Sequence, residues 1–134
     1  MLPSASGAVA LGFAYIPRPM ARPFLKMNGL GNDFVVVETR SGPFDPTAAI
    51  VRAIADRATG VGCDQLIAIE KADNADARVR FWNADGEEVG ACGNGTRCVG
   101  WLLMQSTGKD EVVIDTKAGR LVATRAGERL VSVD

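Results

Sequence analysis

From residue 24 onward, short apolar segments alternate with polar turns. Segments 34–38 and 65–70 are rich in β-branched residues and are bounded by Gly, Asp or Asn, as is typical of strands. Residues 78–83 alternate, so that Val79 and Phe81 share one face with Asn83. We predict strands over 24–27, 34–38, 65–70, 78–83, 87–90, 112–117, 121–126 and 130–133.

A first helix is predicted by apolar residues that recur at helical spacing between Ile50 and Ala58. We place this helix over residues 47–58. Asp45 is the predicted N-cap, and Pro46 is the predicted first helical residue, a position that tolerates proline.

A second helix is predicted over residues 94–106, with Gly108 as its C-cap. Its middle, residues 99–104, is apolar on every face, which is typical of a buried helix. Together the elements predict an α+β fold with mainly antiparallel strands and one buried helix.

The first 21 residues differ from the rest of the chain. They are small and weakly apolar, and prolines follow, but no positively charged segment precedes them as in a signal peptide. The weakly apolar run over residues 4–14 is too short to span a bilayer. We therefore predict a disordered extension over 1–21 and a domain over 22–134, with Met20 as an alternative native start.

The composition restricts which partners, metals and proton-transfer groups can be expected. A net charge of −1 gives no electrostatic reason to bind nucleic acid or an anionic membrane. Three cysteines are an odd number, which argues against a disulfide framework and favours a reducing compartment. The chain has no histidine and no Cys-x-x-Cys pair, so no metal is expected. Any proton transfer must therefore use a cysteine, a carboxylate, a lysine, a tyrosine or a group from another chain.

Cys92 stands directly before Gly93, Asn94 and Gly95 at a predicted helix start. Helix N-termini favour the thiolate form of cysteine and bind carboxylates through main-chain N–H groups. The loop thus offers a base beside an anion cradle, which suits removal of a proton α to a carboxylate. From these residues alone, a tight turn with an inert cysteine is the commoner arrangement.

Four ordered blocks resemble the diaminopimelate epimerase family, and the resemblance covers residues 24–134. The blocks are Lys26-Met27-Asn28-Gly29-Leu30-Gly31-Asn32-Asp33-Phe34, Asp56-Arg57 with Gly60-Val61-Gly62-Cys63-Asp64-Gln65-Leu66, Phe81-Trp82-Asn83-Ala84-Asp85-Gly86, and Ala91-Cys92-Gly93-Asn94-Gly95-Thr96-Arg97-Cys98.

The resemblance implies a cytoplasmic enzyme of lysine biosynthesis that interconverts L,L- and meso-diaminopimelate without pyridoxal phosphate, metal or other cofactor. One thiolate takes the α-proton, and a thiol on the opposite face delivers another. The implied site comprises the catalytic Cys92, the substrate-binding side chains of Asn32, Gln65 and Asn83, and the substrate-binding main chain of Gly93 and Asn94.

Each amide also has an ordinary structural interpretation. Asn32 would cap its own glycine turn, Gln65 would be an exposed strand residue, and Asn83 would make a structural hydrogen bond among core residues. Cys63 and Cys98 are predicted to pack in the core. Asn28 stands where many family members carry histidine, and we assign it no role.

The family has two similar domains, each with mainly antiparallel strands wrapped around a buried central helix, and the site lies between them. The resemblance covers only the first domain, so it implies one half of this two-domain epimerase fold. The implied partners are diaminopimelate and the second domain, which carries the second cysteine; a homodimer is left open. We expect this chain alone to be inactive. Two rivals remain, which are a paired-cysteine racemase of the proline or hydroxyproline type and a non-catalytic isolated domain.

Overall fold

The fold is seen in a computed structural model. It describes residues 23–29, 31–40, 42–128 and 131–134. The predicted extension over 1–21 and the alternative start at Met20 lie outside these residues, and so does Leu130, the predicted first residue of the last strand.

Strands and helices follow one another in the described residues much as the hydrophobic pattern predicts, with ends that shift by a few residues. In chain order the elements are β1 (Phe24–Gly29), β2 (Asn32–Glu38), α1 (Ala48–Ala55), β3 (Gln65–Glu70), β4 (Ala77–Asn83), β5 (Glu88–Val89), α2 (Gly93–Thr107), β6 (Glu111–Thr116), β7 (Gly119–Arg125) and β8 (Val131–Val133).

The strands form one mixed sheet that curls into a half-barrel, in the order β1-β2-β3-β4-β6-β7-β8, with β5 paired to β4. Most neighbouring pairs are antiparallel, as predicted. The pairs β2–β3 and β4–β6 are parallel, which the pattern did not predict. Parallel neighbours require a crossover, and the segments that contain α1 and α2 supply the two crossovers.

Each face of the sheet packs against one helix. On the α2 face, Phe34 and Phe81 pack with Val99. On the α1 face, Val35 and Leu66 pack with other buried residues, among them Val51 of α1. Since β2 and β3 are covered on both faces, their apolar runs are nearly continuous rather than alternating.

The start of α1 corrects a prediction. Asp45 is not the N-cap, because the helix begins at Ala48 and Thr47 caps it, its Oγ1 accepting from the Ile50 N–H at 3.2 Å. Asp45 instead pairs with Arg80, 3.2 Å away across the fold. Pro46 is correspondingly outside the helix.

The end of α1 comes earlier than predicted. Asp56 leaves helical geometry (φ −61°, ψ 123°), and its carboxylate accepts from the N–H groups of Ala58 and Thr59 at 2.8 and 2.9 Å. A side chain that bonds the following backbone competes with continuation of the helix, so α1 ends at Ala55.

Helix α2 ends as predicted at Gly108, which has φ 75° and donates its N–H to the Met104 carbonyl at 2.9 Å. The helix contacts β1, β3, β6, β7 and β8. Trp101 and Leu102 are only partly buried, so its apolar middle is not covered on every side. No helix in the described ranges is long and apolar enough to cross a membrane.

Candidate functional site

Three predicted site residues lie at one edge of the sheet. The parallel strands β2 and β3 begin there with Asn32 and Gln65, and the antiparallel β4 ends there with Asn83. Asn32 is thus the first residue of a strand and not part of the preceding turn, which corrects its predicted location. Side chains two residues apart share a face, so all three follow Phe34, Ile67 and Phe81 onto the α2 face.

Gln65 and Asn83 are directly opposite one another in the β3–β4 ladder. The Gln65 Nε2 donates to the Asn83 Oδ1 at 2.9 Å, which gives Asn83 the partner that a half-buried amide needs. The Gln65 Oε1 is buried and has no hydrogen-bond partner among the described residues. An unsatisfied buried acceptor costs free energy, so this oxygen favours a ligand that donates to it.

Cys92 is the N-cap of α2, with extended backbone angles (φ −143°, ψ 122°). Its carbonyl accepts from the N–H and the Oγ1 of Thr96, at 2.8 and 2.7 Å. The thiol is partly buried and makes no capping hydrogen bond within the described part of the chain. Main-chain groups therefore hold the loop in place, and the Cys92 sulfur takes no part in capping the helix.

Gly95 sets how closely α2 approaches the sheet. A Cβ at this position would lie 3.0 Å from the Ile67 Cδ1 and 3.0 Å from the Phe81 Cε2. Ile67 and Phe81 are opposite one another and stand two residues inward from Gln65 and Asn83. The first turn of α2 therefore rests beside the amide pair on the same face of the sheet.

Asn94 joins this first turn to β2. Its Nδ2 donates to the Asn32 Oδ1 at 2.9 Å, and its Oδ1 accepts from the Arg97 guanidinium at 3.1 Å. Gly93, also predicted, is exposed at the start of the helix. The structure thus brings the predicted site residues into two linked pairs and one loop around the sheet edge.

A charged cluster supports the same edge from the α1 face, and sequence reasoning assigned it no role. Arg57 donates to both oxygens of Asp33, at 2.9 and 2.8 Å, and to Asp64 at 3.1 Å. Lys26 lies 2.8 Å from Asp33 and also donates to the Gly62 carbonyl. The Arg57 hydrogen bond, assisted by Lys26, holds the pKa of Asp33 well below its usual range.

We expect Asp33→Asn to flatten the acid limb of the stability profile. A carboxyl whose pKa is lowered by folding contributes stability above its unfolded pKa of about 3.9, and that contribution is lost as the pH falls below this value. Denaturant titrations at a series of pH values should show a smaller acid loss in the variant. Asp115→Asn, in a more exposed pair with Arg120, is the control; equal acid slopes for Asp33→Asn and the unsubstituted chain would contradict the assignment.

The other two thiols are buried, as predicted. The pKa of Cys63 and that of Cys98 are each raised to about 11, mainly by burial, and the nearby Cys92 contributes to the rise at Cys98. The Cys98 Sγ lies 3.8 Å from the Asn28 carbonyl, and a Cβ on Gly29 would come within 3.0 Å of it. Neither sulfur is suited to deliver or remove a proton at a ligand near neutral pH.

Iodoacetamide is accordingly expected to alkylate Cys92 well before Cys63 or Cys98 in the folded chain at neutral pH. The reagent reacts with an accessible thiolate, whereas Cys63 and Cys98 are only 2% and 7% exposed and have raised pKa values. Peptide mass spectrometry after timed quenching measures the three rates. In denaturant all three should react alike; labelling of Cys63 or Cys98 as fast as Cys92 in the folded chain would show the expectation to be wrong.

Comparison with known proteins identifies a family. The family model for diaminopimelate epimerase matches residues 24–134. A diaminopimelate epimerase from Phenylobacterium zucineum is 87% identical over 115 residues, which are 86% of this chain and 42% of that protein. One from Caulobacter sp. strain K31 is 63% identical, over 86% of this chain and 43% of that protein. The chain thus spans less than half the length of these relatives.

Solved structures show the same fold at low identity. Methylitaconate-delta-isomerase matches with a TM-score of 0.62 at 19% identity, over 81% of this chain and 61% of that one. A hydroxyproline epimerase from Agrobacterium vitis, with bound trans-4-hydroxy-L-proline, matches with a TM-score of 0.60 at 19% identity, over 82% of this chain and 40% of that one. At this identity the likeness concerns the fold alone.

Proposed function

Because the chain belongs to the diaminopimelate epimerase family, we propose that it forms the amino-terminal half of an enzyme that interconverts L,L- and meso-diaminopimelate. The reaction is proton transfer at the α carbon without a cofactor, in lysine biosynthesis. A cytoplasmic location is part of the proposal, supported by three free cysteines. The observation that carries the proposal is that the thiol of Cys92 makes no capping bond at the start of α2, whose first turn lies beside the sheet edge that carries Asn32, Gln65 and Asn83.

Cys92 is the proposed base on one face of the α carbon. Its thiolate removes the α-proton, so the C–H bond breaks and an S–H bond forms. The carbanion then takes a proton from a second thiol on the opposite face, which inverts the configuration. Negative charge develops on the α-carboxylate during this step, and the first main-chain N–H groups of a helix have no intrahelical partner. Those of Gly93 and Asn94 are the proposed donors to the carboxylate.

Asn32, Gln65 and Asn83 are the proposed contacts to the rest of the substrate. Diaminopimelate carries two ammonium and two carboxylate groups, and side-chain amides can both donate and accept. The buried Gln65 Oε1 is an acceptor suited to an ammonium N–H. The Gln65–Asn83 bond of 2.9 Å holds the Gln65 Nε2 in place, so that the Oε1 is the atom left available to a ligand.

The second thiol of the proposed mechanism comes from a second domain. Within this chain Cys63 and Cys98 are 2% and 7% exposed and have raised pKa values, so neither replaces it. We propose that the complete fold has two halves, each with strands wrapped around a central helix, which is α2 in this chain. A homodimer stays a prediction.

The test uses a two-domain hybrid, in which residues 24–134 are joined to the second half of the Phenylobacterium zucineum relative. In deuterium oxide, the hybrid is expected to exchange the α-proton of L,L- and meso-diaminopimelate and to leave proline and hydroxyproline unexchanged. The 134-residue chain alone is expected to invert none of them. Faster exchange of proline or hydroxyproline would favour the rival racemase, and an inactive hybrid would favour a non-catalytic domain.

A further inference from the structure

Four polar side chains form a single-file chain of hydrogen bonds around the sheet edge. The Arg97 guanidinium donates to the Asn94 Oδ1 at 3.1 Å, and the Asn94 Nδ2 donates to the Asn32 Oδ1 at 2.9 Å. The Asn32 Nδ2 donates in turn to the Asp64 Oδ2 at 3.3 Å. Every bond points the same way, from the α2 face of the sheet toward the α1 face.

We propose that Arg97 and Asp64 are positioning residues that fix the orientation of the Asn32 and Asn94 amides. This inference rests on the proposed function, in which Asn32 contacts the substrate and the Asn94 main chain holds the reacting carboxylate. Neither Arg97 nor Asp64 needs to touch the substrate. Each acts through the amide beside it.

The chemistry of the two ends dictates the direction of the chain. A guanidinium has only donors, and an ionised carboxylate has only acceptors, whereas an amide group has both. If Asn94 rotated by half a turn, its Nδ2 would face the donors of Arg97. If Asn32 rotated, its Oδ1 would face the carboxylate of Asp64. Either rotation leaves like groups opposed, so the two charged ends select one arrangement of the two amides.

The acceptor end is itself anchored. The Asp64 Oδ2 accepts the Asp33 N–H at 3.0 Å, and its Oδ1 accepts from Arg57 at 3.1 Å. The Asp64 N–H donates back to the Asp33 Oδ1 and main-chain carbonyl, both at 2.9 Å. These bonds keep Asp64 beside Asn32 although its side chain is 42% exposed. The charged cluster on the α1 face thereby supports an amide on the other face.

A fixed direction matters for ligand binding. An amide free to rotate presents a donor in one state and an acceptor in the other, and a ligand matched to one state binds more weakly in proportion to that state's population. With both ends in place, Asn32 presents its remaining N–H and its remaining lone pair in one arrangement. Loss of both ends is therefore expected to weaken substrate binding more than it slows proton transfer.

The first measurement needs no substitution and no substrate. In the isotope-labelled 134-residue chain, NMR should detect a coupling across the hydrogen bond from the Asn94 side-chain nitrogen to the Asn32 side-chain carbonyl carbon. A coupling in the reverse direction would overturn the proposal. This readout is independent of activity, so it separates failure of the inference from failure of the proposed function.

Variants then test the two ends. Asp64→Asn and Arg97→Met are each expected to raise solvent exchange of the adjacent amide protons by about tenfold, as for loss of one charged hydrogen bond. The double variant should exceed the product of the two effects, because either end alone still orients both amides. Arg97→Lys keeps a donor-only end and should restore protection, and the remote Asp115→Asn should change nothing. Independent effects of the two ends, or no recovery in Arg97→Lys, would overturn the proposal.

The two-domain hybrid supplies the functional readout. The Asp64→Asn/Arg97→Met variant is expected to show a KM for diaminopimelate raised by about tenfold, with a smaller change in kcat. If the NMR coupling shows the expected orientation in the unsubstituted chain but the double variant leaves the KM unchanged, the positioning role is overturned and the proposed function stands. Inactivity of the unsubstituted hybrid would overturn the proposed function, and the NMR coupling would then decide the hydrogen-bond chain by itself.

Discussion

Replacing Cys92 with alanine is expected to lower the rate at which the two-domain hybrid interconverts L,L- and meso-diaminopimelate by about 10²–10⁴-fold, the usual contribution of a positioned acid or base. The thiol of Cys92 is the only one of the three in this chain that is not in the buried core. The second domain retains its own thiol in the variant, but one thiol cannot both remove and deliver a proton on opposite faces. Chromatographic separation of the L,L and meso forms over time gives the rate of interconversion.

Cys63→Ala and Cys98→Ala are the matched controls for this loss. Both remove a buried sulfur, and any effect should act through stability rather than through the interconversion rate of folded protein. Cys92→Ala should fold normally, because its thiol makes no capping bond within the described residues. Normal interconversion by Cys92→Ala, or a comparable loss in either control at full folding, would refute the assignment of Cys92 as the base.

Phe81→Ala is expected to destabilise the chain by about 3–5 kcal/mol, the range measured for truncation of buried phenylalanines. The Phe81 side chain is fully buried on the α2 face, opposite Ile67 in the ladder. It supports the sheet and also lies directly under Gly95 at the start of α2. Denaturant unfolding followed by circular dichroism measures the change in free energy of unfolding.

Phe81→Leu is the conservative comparison and should cost markedly less than the alanine variant, since it leaves a smaller cavity. Arg40→Ala provides a surface control, because the exposed Glu38–Arg40 pair is expected to contribute about 0–1 kcal/mol. A loss below about 1 kcal/mol in Phe81→Ala would mean that the core near the α2 start can collapse into the space, against the packing described above.

The hydrophobic pattern was sufficient to predict the elements, because strand and helix periods are local properties of the chain. It could not predict the parallel β2–β3 pair, since pairing depends on which strands meet after the α1 crossover. The start of α1 shows the same limit. Asp45 and Thr47 are both good capping residues, and the choice between them depends on Arg80, a distant residue that pairs with Asp45.

The site was predicted unevenly. The Cys92 loop and the three amides follow from motif blocks, and the structure brings them to one sheet edge. The charged cluster was missed because its ion pairs join residues far apart in sequence, such as Asp33 and Arg57. The sequence nevertheless contains a signal for this cluster. Charged residues of both signs lie in the same motif blocks as Asn32 and Gln65, and exposure to solvent alone does not explain why they are there.

Because glycine has no side chain, Gly95 also determines how far the start of α2 lies from the sheet. The start of α2 lies so close to Ile67 and Phe81 that a methyl group at position 95 would require these side chains to shift by a few tenths of an ångström. We expect a larger residue at 95 to widen the spacing between the first turn of α2 and the sheet. The distance between the thiol loop and the sheet edge therefore depends on the residue at this position, and redesign for a bulkier substrate would begin there.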